Sequence, residues 1–360
     1  MLFLQSAIDK MDDKVGRAAI IQNGSPLFSG GTASGESQIR RWLLESDLIE
    51  AIIALPVDLF YNTGIATYIW VLSKNKRQER KGKIQLIDAS SFFHKLRKAL
   101  GDKKNEISPE DRAAITKLYA GFPAENEFCK IYPNTEFIYR EYVVMQPLQR
   151  SYVITSDRIS AMLAKGSLSS LYDEAKVAEW ENAEELTGKD ARKLEIMQNN
   201  KPVFEAIISA LQAAVSDVVY YSPADFMPVL TNALSGATAE KKLLDKIADG
   251  LSVMDKKAEI QRDRKGNIIY DKETRDIEIV RWEESIDTYM AREVLPHVPD
   301  AKAFFEENLG AKKTVIKTGA EIPFTRYFYK YQQPVPSEEL KAKFLELECS
   351  VSNRVVRLFE

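Results

Sequence analysis

The chain has 360 residues, 50 basic against 53 acidic side chains, and is 45% hydrophobic, 29% charged and 10% aromatic. Its length suits about two domains, with ample apolar material for a core. A net charge of −3 excludes a free-standing basic nucleic-acid clamp, because affinity for phosphates needs a positive field; any such role falls to a local patch or to partners. Cys129 and Cys349 are too few for a disulfide framework and fit a reducing, cytoplasmic setting. His94 and His297 give little material for zinc, and no metal site is expected. The apolar runs fall short of a membrane span, and Met1-Leu2-Phe3-Leu4-Gln5 lacks the basic region of a signal peptide.

Leu2, Leu4, Ala7, Ile8 and Met11 fall near helical spacing, so the chain is expected to open directly on a helix, as a piece cut from something longer would. Asp12 to Gly16 reads as a turn. Arg17 to Gln22 (RAAIIQ) is a short apolar run of the buried-strand kind, broken by Asn23-Gly24. A loop from Ser25 to Gly35 contains Gly30-Gly31, and Ser37 to Glu45 reads as a helix with Ile39, Trp42 and Leu43 on one face. Leu48 to Leu55 is a second strand, stopped by Pro56, and Ala66 to Ser73 a third, rich in β-branched and aromatic residues. A basic connector, Lys74 to Lys83, leads to a fourth at Ile84 to Ile87. The succession reads as the second half of an open α/β sheet, with no Gly-rich nucleotide loop after its first strand. Half a sheet leaves an exposed edge open to association.

From Ser91 to about Phe122 the pattern reads as helix, interrupted at Gly101 to Ile107 and restarted by Ser108-Pro109-Glu110-Asp111. Tyr132 to Pro147 looks extended, and Ser156-Asp157 can cap a helix through Met162. Residues 168 to 250 are dominated by helical patterns, with breaks near Gly188, Asn199 to Pro202, Tyr221 to Pro223 and Gly236. Glu259 to Asp271 reads as a hairpin turning at Lys265-Gly266. His297 has no partner constellation and reads as structural. Tyr327, Phe328, Tyr329 and Tyr331 form an aromatic cluster, read as packing against another element or subunit rather than stacking on DNA. Leu340, Phe344, Leu347, Val351, Val355 and Leu358 recur every three or four residues, one apolar stripe that must be covered by the chain's own core or by a partner.

GRAAIIQNGSPLFSGG (from Gly16), IRRWLLESDLIEAIIALPVDLFYNTGIATYIWVLSKNK (Ile39 to Lys76), IQLIDAS (Ile84 to Ser90), REVLPHVPDA (Arg292 to Ala301), EIPFTRYFYKYQQPVPSEEL (Glu321 to Leu340) and, more weakly, EYVVMQPLQRSYVITSDRI (Glu141 to Ile159) resemble the modification subunits of type I restriction-modification systems. Those are S-adenosylmethionine-dependent N6-adenine DNA methyltransferases. The resemblance implies an α/β fold: the C-terminal half of a Rossmann-like class I methyltransferase sheet (1–90), a mainly helical region (91–285), and a tail ending in a C-terminal helix (286–360).

The family's cofactor loop and its Asn-Pro-Pro-aromatic tetrapeptide, which hold the methyl donor and the target amine, have no match; Tyr132-Pro133-Asn134 has the wrong order and Asn200-Lys201-Pro202 the wrong composition. The chain alone is therefore expected to have no catalytic residue, no bound cofactor and no methyl transfer. Phe60, Tyr61 and Asn62 match a position that contacts the extruded base, although Phe60 reads equally as a core anchor. Asn23, Gly24, Gly30 and Gly31 are candidates for a loop near the site, or plain turns. Lys74, Lys76, Arg77, Arg80 and Lys81 are candidate contacts to DNA phosphates, or a solvated loop. The tail stripe is the candidate dock for a DNA-specificity subunit. A restriction subunit and duplex DNA are further implied partners, and self-association is the rival use of the stripe. The alternative function is a non-enzymatic assembly module that binds a DNA-specificity subunit.

Overall fold

A computed structural model of the chain describes residues 1–356 apart from 124, 184, 186, 238, 239, 311–313 and 332. The architecture is mixed α/β, and the chain divides into two compact units, residues 1–141, 279–285 and 306–360 in the first and 142–278 and 286–305 in the second.

The first unit begins α1 (Leu2–Lys10), β1 (Arg17–Asn23), the single turn α2 (Ser25–Phe28), α3 (Gly35–Glu45), β2 (Ile49–Ala54), β3 (Thr67–Ser73) and β4 (Lys83–Asp88). It continues with β5 (His94–Leu100), β6 (Lys103–Glu106), α4 (Pro109–Gly121), β7 (Glu125–Asn126) and β8 (Cys129–Pro133). One six-stranded sheet runs β1-β3-β2-β4-β8-β7. The β2–β4 pair is parallel and the other pairs are antiparallel.

Every residue of β2 is buried, as a central strand read as a continuous apolar run should be. β1 departs from the buried strand expected of RAAIIQ. It lies at the end of the sheet, alternates exposed and half-buried positions, and leaves Ile21 half exposed. Its outer edge carries no further strand among the described residues.

One face of the sheet is covered by α1 and α3, whose Leu4, Ile8, Leu43 and Leu44 pack with Ile52, Trp70 and Leu86. Ala320, Ile322 and Phe324 from the far end of the chain complete this core. On the other face, Ile115 of α4 meets Ile53, Leu55, Ile87 and Cys129. The start of α4 is the one the sequence predicts. Ser108 Oγ accepts from the Asp111 N–H at 3.1 Å and Asp111 Oδ2 from the Ser108 N–H at 3.0 Å, a reciprocal cap that satisfies two orphan donors. Ser108→Ala is expected to lower stability by about 1 kcal/mol, read as a shifted urea midpoint at unchanged slope; no shift would deny the cap its weight.

The helix expected from residue 91 begins only at Pro109. Before it, β5 and β6 form an antiparallel hairpin turning at Gly101, which has φ +63°. The spacing of Leu96, Ala99 and Leu100 mimics a helix face. The extended form prevails because the backbone of 102–105 binds carbonyls of the loop after β2.

β9 (Ile138–Met145) passes from the first unit into the second. There follow β10 (Arg150–Tyr152), α5 (Ser156–Ala164), α6 (Glu174–Glu181), α7 (Gly188–Ala213), α8 (Pro223–Ala233), α9 (Lys241–Gly250) and β11 (Ser252–Met254), which pairs with β10. Tyr152, Met162, Ile207, Leu211, Phe226, Leu230 and Ile247 form this core. Thr155, rather than Ser156-Asp157, caps α5. The break expected at Asn199 to Pro202 does not occur: α7 runs through Pro202, its C-terminal half held by the buried Ile207 and Leu211. The hairpin expected at 259–271 is present, closed by an Arg262–Ile268 bridge with Gly266 at φ +85°. Then come β12 (Asp276–Arg281), α10 (Ile286–Tyr289) running into a π turn, Met290–Val294, β13 (Lys302–Phe304), β14 (Thr318–Ala320), α11 (Phe324–Phe328) and α12 (Ser337–Val356).

Candidate functional site

The loop between β2 and β3 carries Phe60, Tyr61 and Asn62. Asp58 takes a left-handed conformation, φ +57°, rare for a residue with a side chain, and its N–H reaches Gly64 O at 3.3 Å, drawing the loop into a narrow turn. The β5–β6 hairpin braces it. The Lys104 and Asn105 N–H groups donate to Asp58 O at 2.9 and 3.1 Å, and the Asp102 N–H to Tyr61 O at 3.0 Å. The buried Asn105 amide donates to Val57 O at 2.9 Å. A Cβ on Gly101 would lie 2.4 Å from Tyr61 O, so only glycine permits this approach. Tyr61 is 65% exposed, with the Lys103 ammonium over its ring at 5.3 Å. Asn62 is exposed and Phe60 half-buried.

Phe60 stands at a cavity of about 550 Å³ on the α4 face of the sheet. Ile21, Ile53, Leu55, Leu59, Ile69 and Val71 make its apolar wall, and Arg17, Lys103, Arg112 and Glu106 its charged groups. Behind Arg17 lies a buried polar cluster. Glu50 accepts from Arg17 at 3.2 Å and from the Tyr119 hydroxyl, with Arg80 at 3.7 Å. Burial and the adjacent Glu50 carboxylate push the Tyr119 hydroxyl above its ordinary pKa, so it stays a donor.

Asn23 is exposed at the end of β1, and Gly24 is the half-buried cap of α2. Gly30, at φ +89°, and Gly31 are exposed in the turn before Ser34, which caps α3. Arg40, wholly buried, holds this segment. Its guanidinium donates to Ala320 O at 2.7 Å, Ser29 O at 2.8 Å and Pro26 O at 3.0 Å. Nothing in the helical spacing of α3 distinguishes Arg40 from a surface arginine, and the sequence reading missed it.

The basic connector separates into an inner and an outer set. Lys76 is buried against Asp47 Oδ1 at 2.6 Å and Lys83 O at 2.8 Å, its pKa lowered by burial. Arg80 is buried on Gln85, at 2.8 Å, and Tyr119 O. Lys74 is tied to Met11 O at 2.9 Å and Asp13 at 2.6 Å. Lys76 and Arg80 are buried and Lys74 is half-buried, all three engaged by partners within the fold; Arg77 and Lys81 alone of the five are exposed.

The aromatic cluster also divides. Tyr327 packs on Tyr132 and Phe137, at centroid distances of 4.5 and 5.6 Å, and Phe328 on Phe324 at 5.0 Å. Tyr329 and Tyr331 are exposed. On α12, Leu340, Phe344, Leu347, Val351 and Val355 are all exposed, at 48–67%. Leu358 lies outside the described residues. His297 is exposed beyond the π turn, its N–H on Val294 O at 3.0 Å.

Residues 1–157 match the family model described as N-6 DNA Methylase. The chain is 34% identical over 158 residues to the type I restriction enzyme MjaVIII methylase subunit of Methanocaldococcus jannaschii, covering 44% of this chain and 26% of that protein. It is 34% identical over 119 residues to the HindI methylase subunit of Haemophilus influenzae, covering 31% and 25%. A solved type I restriction-modification methyltransferase subunit from Streptococcus thermophilus superposes with a TM-score of 0.33 at 27% identity, over 38% of this chain and 26% of that one. The chain thus spans about a quarter of the length of the curated relatives it matches. The resemblance to type I modification subunits read from the sequence is borne out.

Proposed function

From a chain whose residues 1–157 match N-6 DNA methylases, we propose a part of the modification subunit of a type I restriction-modification system. That match is the observation that carries the reading. The whole protein transfers a methyl group from S-adenosylmethionine to adenine N6 in duplex DNA, in the cytoplasm. It works with a DNA-specificity subunit that chooses the sequence, and with a restriction subunit. In this reading the first unit contributes the C-terminal half of a Rossmann-like methyltransferase sheet.

The residues present do not fit the methyl donor. The cavity beside Phe60 sets Arg17, Lys103 and Arg112 against the single carboxylate Glu106, the wrong sign for a sulfonium cation. In this reading the chain's part lies on the base side. The adenine amine is a weak nucleophile, because its lone pair is delocalised into the ring. A base bearing such an amine must leave the helix and be held flat. Phe60 and Tyr61, on a turn fixed by the hairpin, offer aromatic faces for that purpose, and Asn62 an exposed amide. Asn23, Gly24, Gly30 and Gly31 are assigned in this reading to a loop on the side of the site. The face of α12 docks on the specificity subunit.

The test is a methyl-transfer assay on duplex DNA with the specificity subunit, comparing this chain with a version extended upstream. Transfer only by the extended version is expected. In it, Phe60→Ala should cut the rate about tenfold or more, since stacking on one base contributes about 1–3 kcal/mol. An extended version that methylates nothing overturns the enzymatic reading in favour of an assembly module. Equal losses of rate and stability return Phe60 to a packing role.

A further inference from the structure

The buried lysine and arginine of the connector leave open how a chain of net charge −3 meets DNA. The β5–β6 hairpin supplies a local answer. Between His94 and Glu106 it carries Lys95, Arg97, Lys98, Lys103 and Lys104 against Asp102 and Glu106. Two of these cations have partners: Lys104 lies 3.6 Å from Asp58 and Lys103 sits over Tyr61. Lys95, Arg97 and Lys98 are exposed, and no ion pair or side-chain hydrogen bond engages them among the described residues. Such free cations lose the least when they exchange water for phosphate oxygens, because no internal bond has to break first.

The same hairpin makes four hydrogen bonds to the loop that carries Phe60, through Asp102, Lys104 and Asn105. A contact on the hairpin therefore fixes the position of Phe60 and Tyr61. A two-stranded ribbon is also of a size that follows a duplex groove.

We infer that the β5–β6 hairpin grips the sugar–phosphate backbone of duplex DNA through Lys95, Arg97 and Lys98, beside the Phe60–Asn62 loop. The hairpin is a positioning element: it sets the turn on the duplex and contacts no reacting atom. The choice of duplex DNA as the polyanion rests on the function proposed above.

The experiment is fluorescence anisotropy of this chain with a labelled duplex, from low salt upward. Each phosphate contact contributes about 0.9 to the slope of log affinity against log salt. The triple variant Lys95→Ala, Arg97→Ala, Lys98→Ala should therefore lower that slope by about 2.7, with an unchanged melting midpoint because all three side chains are exposed. Lys241→Ala with Lys242→Ala, two exposed lysines at the start of α9 in the second unit, should leave the slope nearly as it was. An unchanged slope in the triple variant, no duplex binding even at low salt, or displacement of the duplex by polyglutamate or single-stranded RNA at equal charge would each overturn the assignment. The methyl-transfer assay separates the two readings. Transfer by the assembled complex with an unchanged slope removes the hairpin's role alone. A lowered slope with no transfer keeps the grip and removes the enzymatic function.

Discussion

Arg40→Ala should lower the unfolding free energy of the first unit by about 4 kcal/mol, the largest single-site loss expected in this chain. Arg40 is 0% exposed, and its guanidinium donates to three backbone carbonyls, those of Pro26, Ser29 and Ala320. Alanine removes a charged donor and leaves one buried acceptor, Ala320 O, and two half-buried ones, Pro26 O and Ser29 O, to be met by whatever water can enter. Each unsatisfied buried group costs about 1–3 kcal/mol. Arg40→Lys should recover only part of the loss, since one ammonium cannot reproduce the fork geometry. Urea unfolding followed by tryptophan fluorescence measures the change. A loss under about 1 kcal/mol would mean the carbonyls rearrange freely, and the clamp would not matter. Because the clamp spans the loop of Gly30 and Gly31 and the strand β14, its loss should also raise hydrogen exchange in both.

The second large effect concerns association. Leu347→Asp and Val351→Asp, on the α12 face proposed to dock on the specificity subunit, should together abolish co-purification with it. Charging one residue at the centre of a buried contact costs about 2 kcal/mol or more, roughly thirtyfold in affinity for each site. Both side chains are exposed in the chain alone, at 63% and 57%, so its own unfolding should not change. That difference is the diagnostic: assembly lost with stability kept assigns the stripe to a partner. Unchanged assembly overturns the docking role. A loss of self-association alone, seen by sedimentation, would assign the stripe to a second copy.

The sequence made some of this legible and hid the rest for physical reasons. The alternation of apolar runs and turns in the first ninety residues placed β1 to β4 and α3 within a residue or two, because each element's extent is written in its own composition, although the position of β1 at the end of the sheet was not. The cap at Ser108 was equally local. The β5–β6 hairpin was hidden, because its apolar residues fall at helical spacing and its stability comes from Asp58 and Tyr61 carbonyls more than thirty residues away. Arg40 was hidden for the same reason, since its acceptors lie on two other segments. Charge counting picked out Lys74, Lys76 and Arg80 from their density alone. Density does not reveal that Asp47 and Glu50 would draw Lys76 and Arg80 inward, or that Lys74 would be tied to Met11 O and an exposed Asp13. For the site, periodicity supplied only a turn; the identity of Phe60 as a base contact rests on family resemblance.

The order of the chain through its two units bears on how the molecule is made. The first unit holds residues 1–141 but is finished by segments after residue 305. Arg40 and Ser37 bind the backbone of Ala320, and Phe324 packs in the core with Trp70. During synthesis the early sheet must therefore wait for the second unit to emerge before its last buried contacts can form. Such closure over hundreds of residues is slow and leaves apolar surface uncovered in the interval. The second unit, formed by two later segments, has its main core within residues 152–251 and can collapse first. The last buried contacts of the first unit, those of Ala320, Ile322 and Phe324, thus close only after the second unit has emerged.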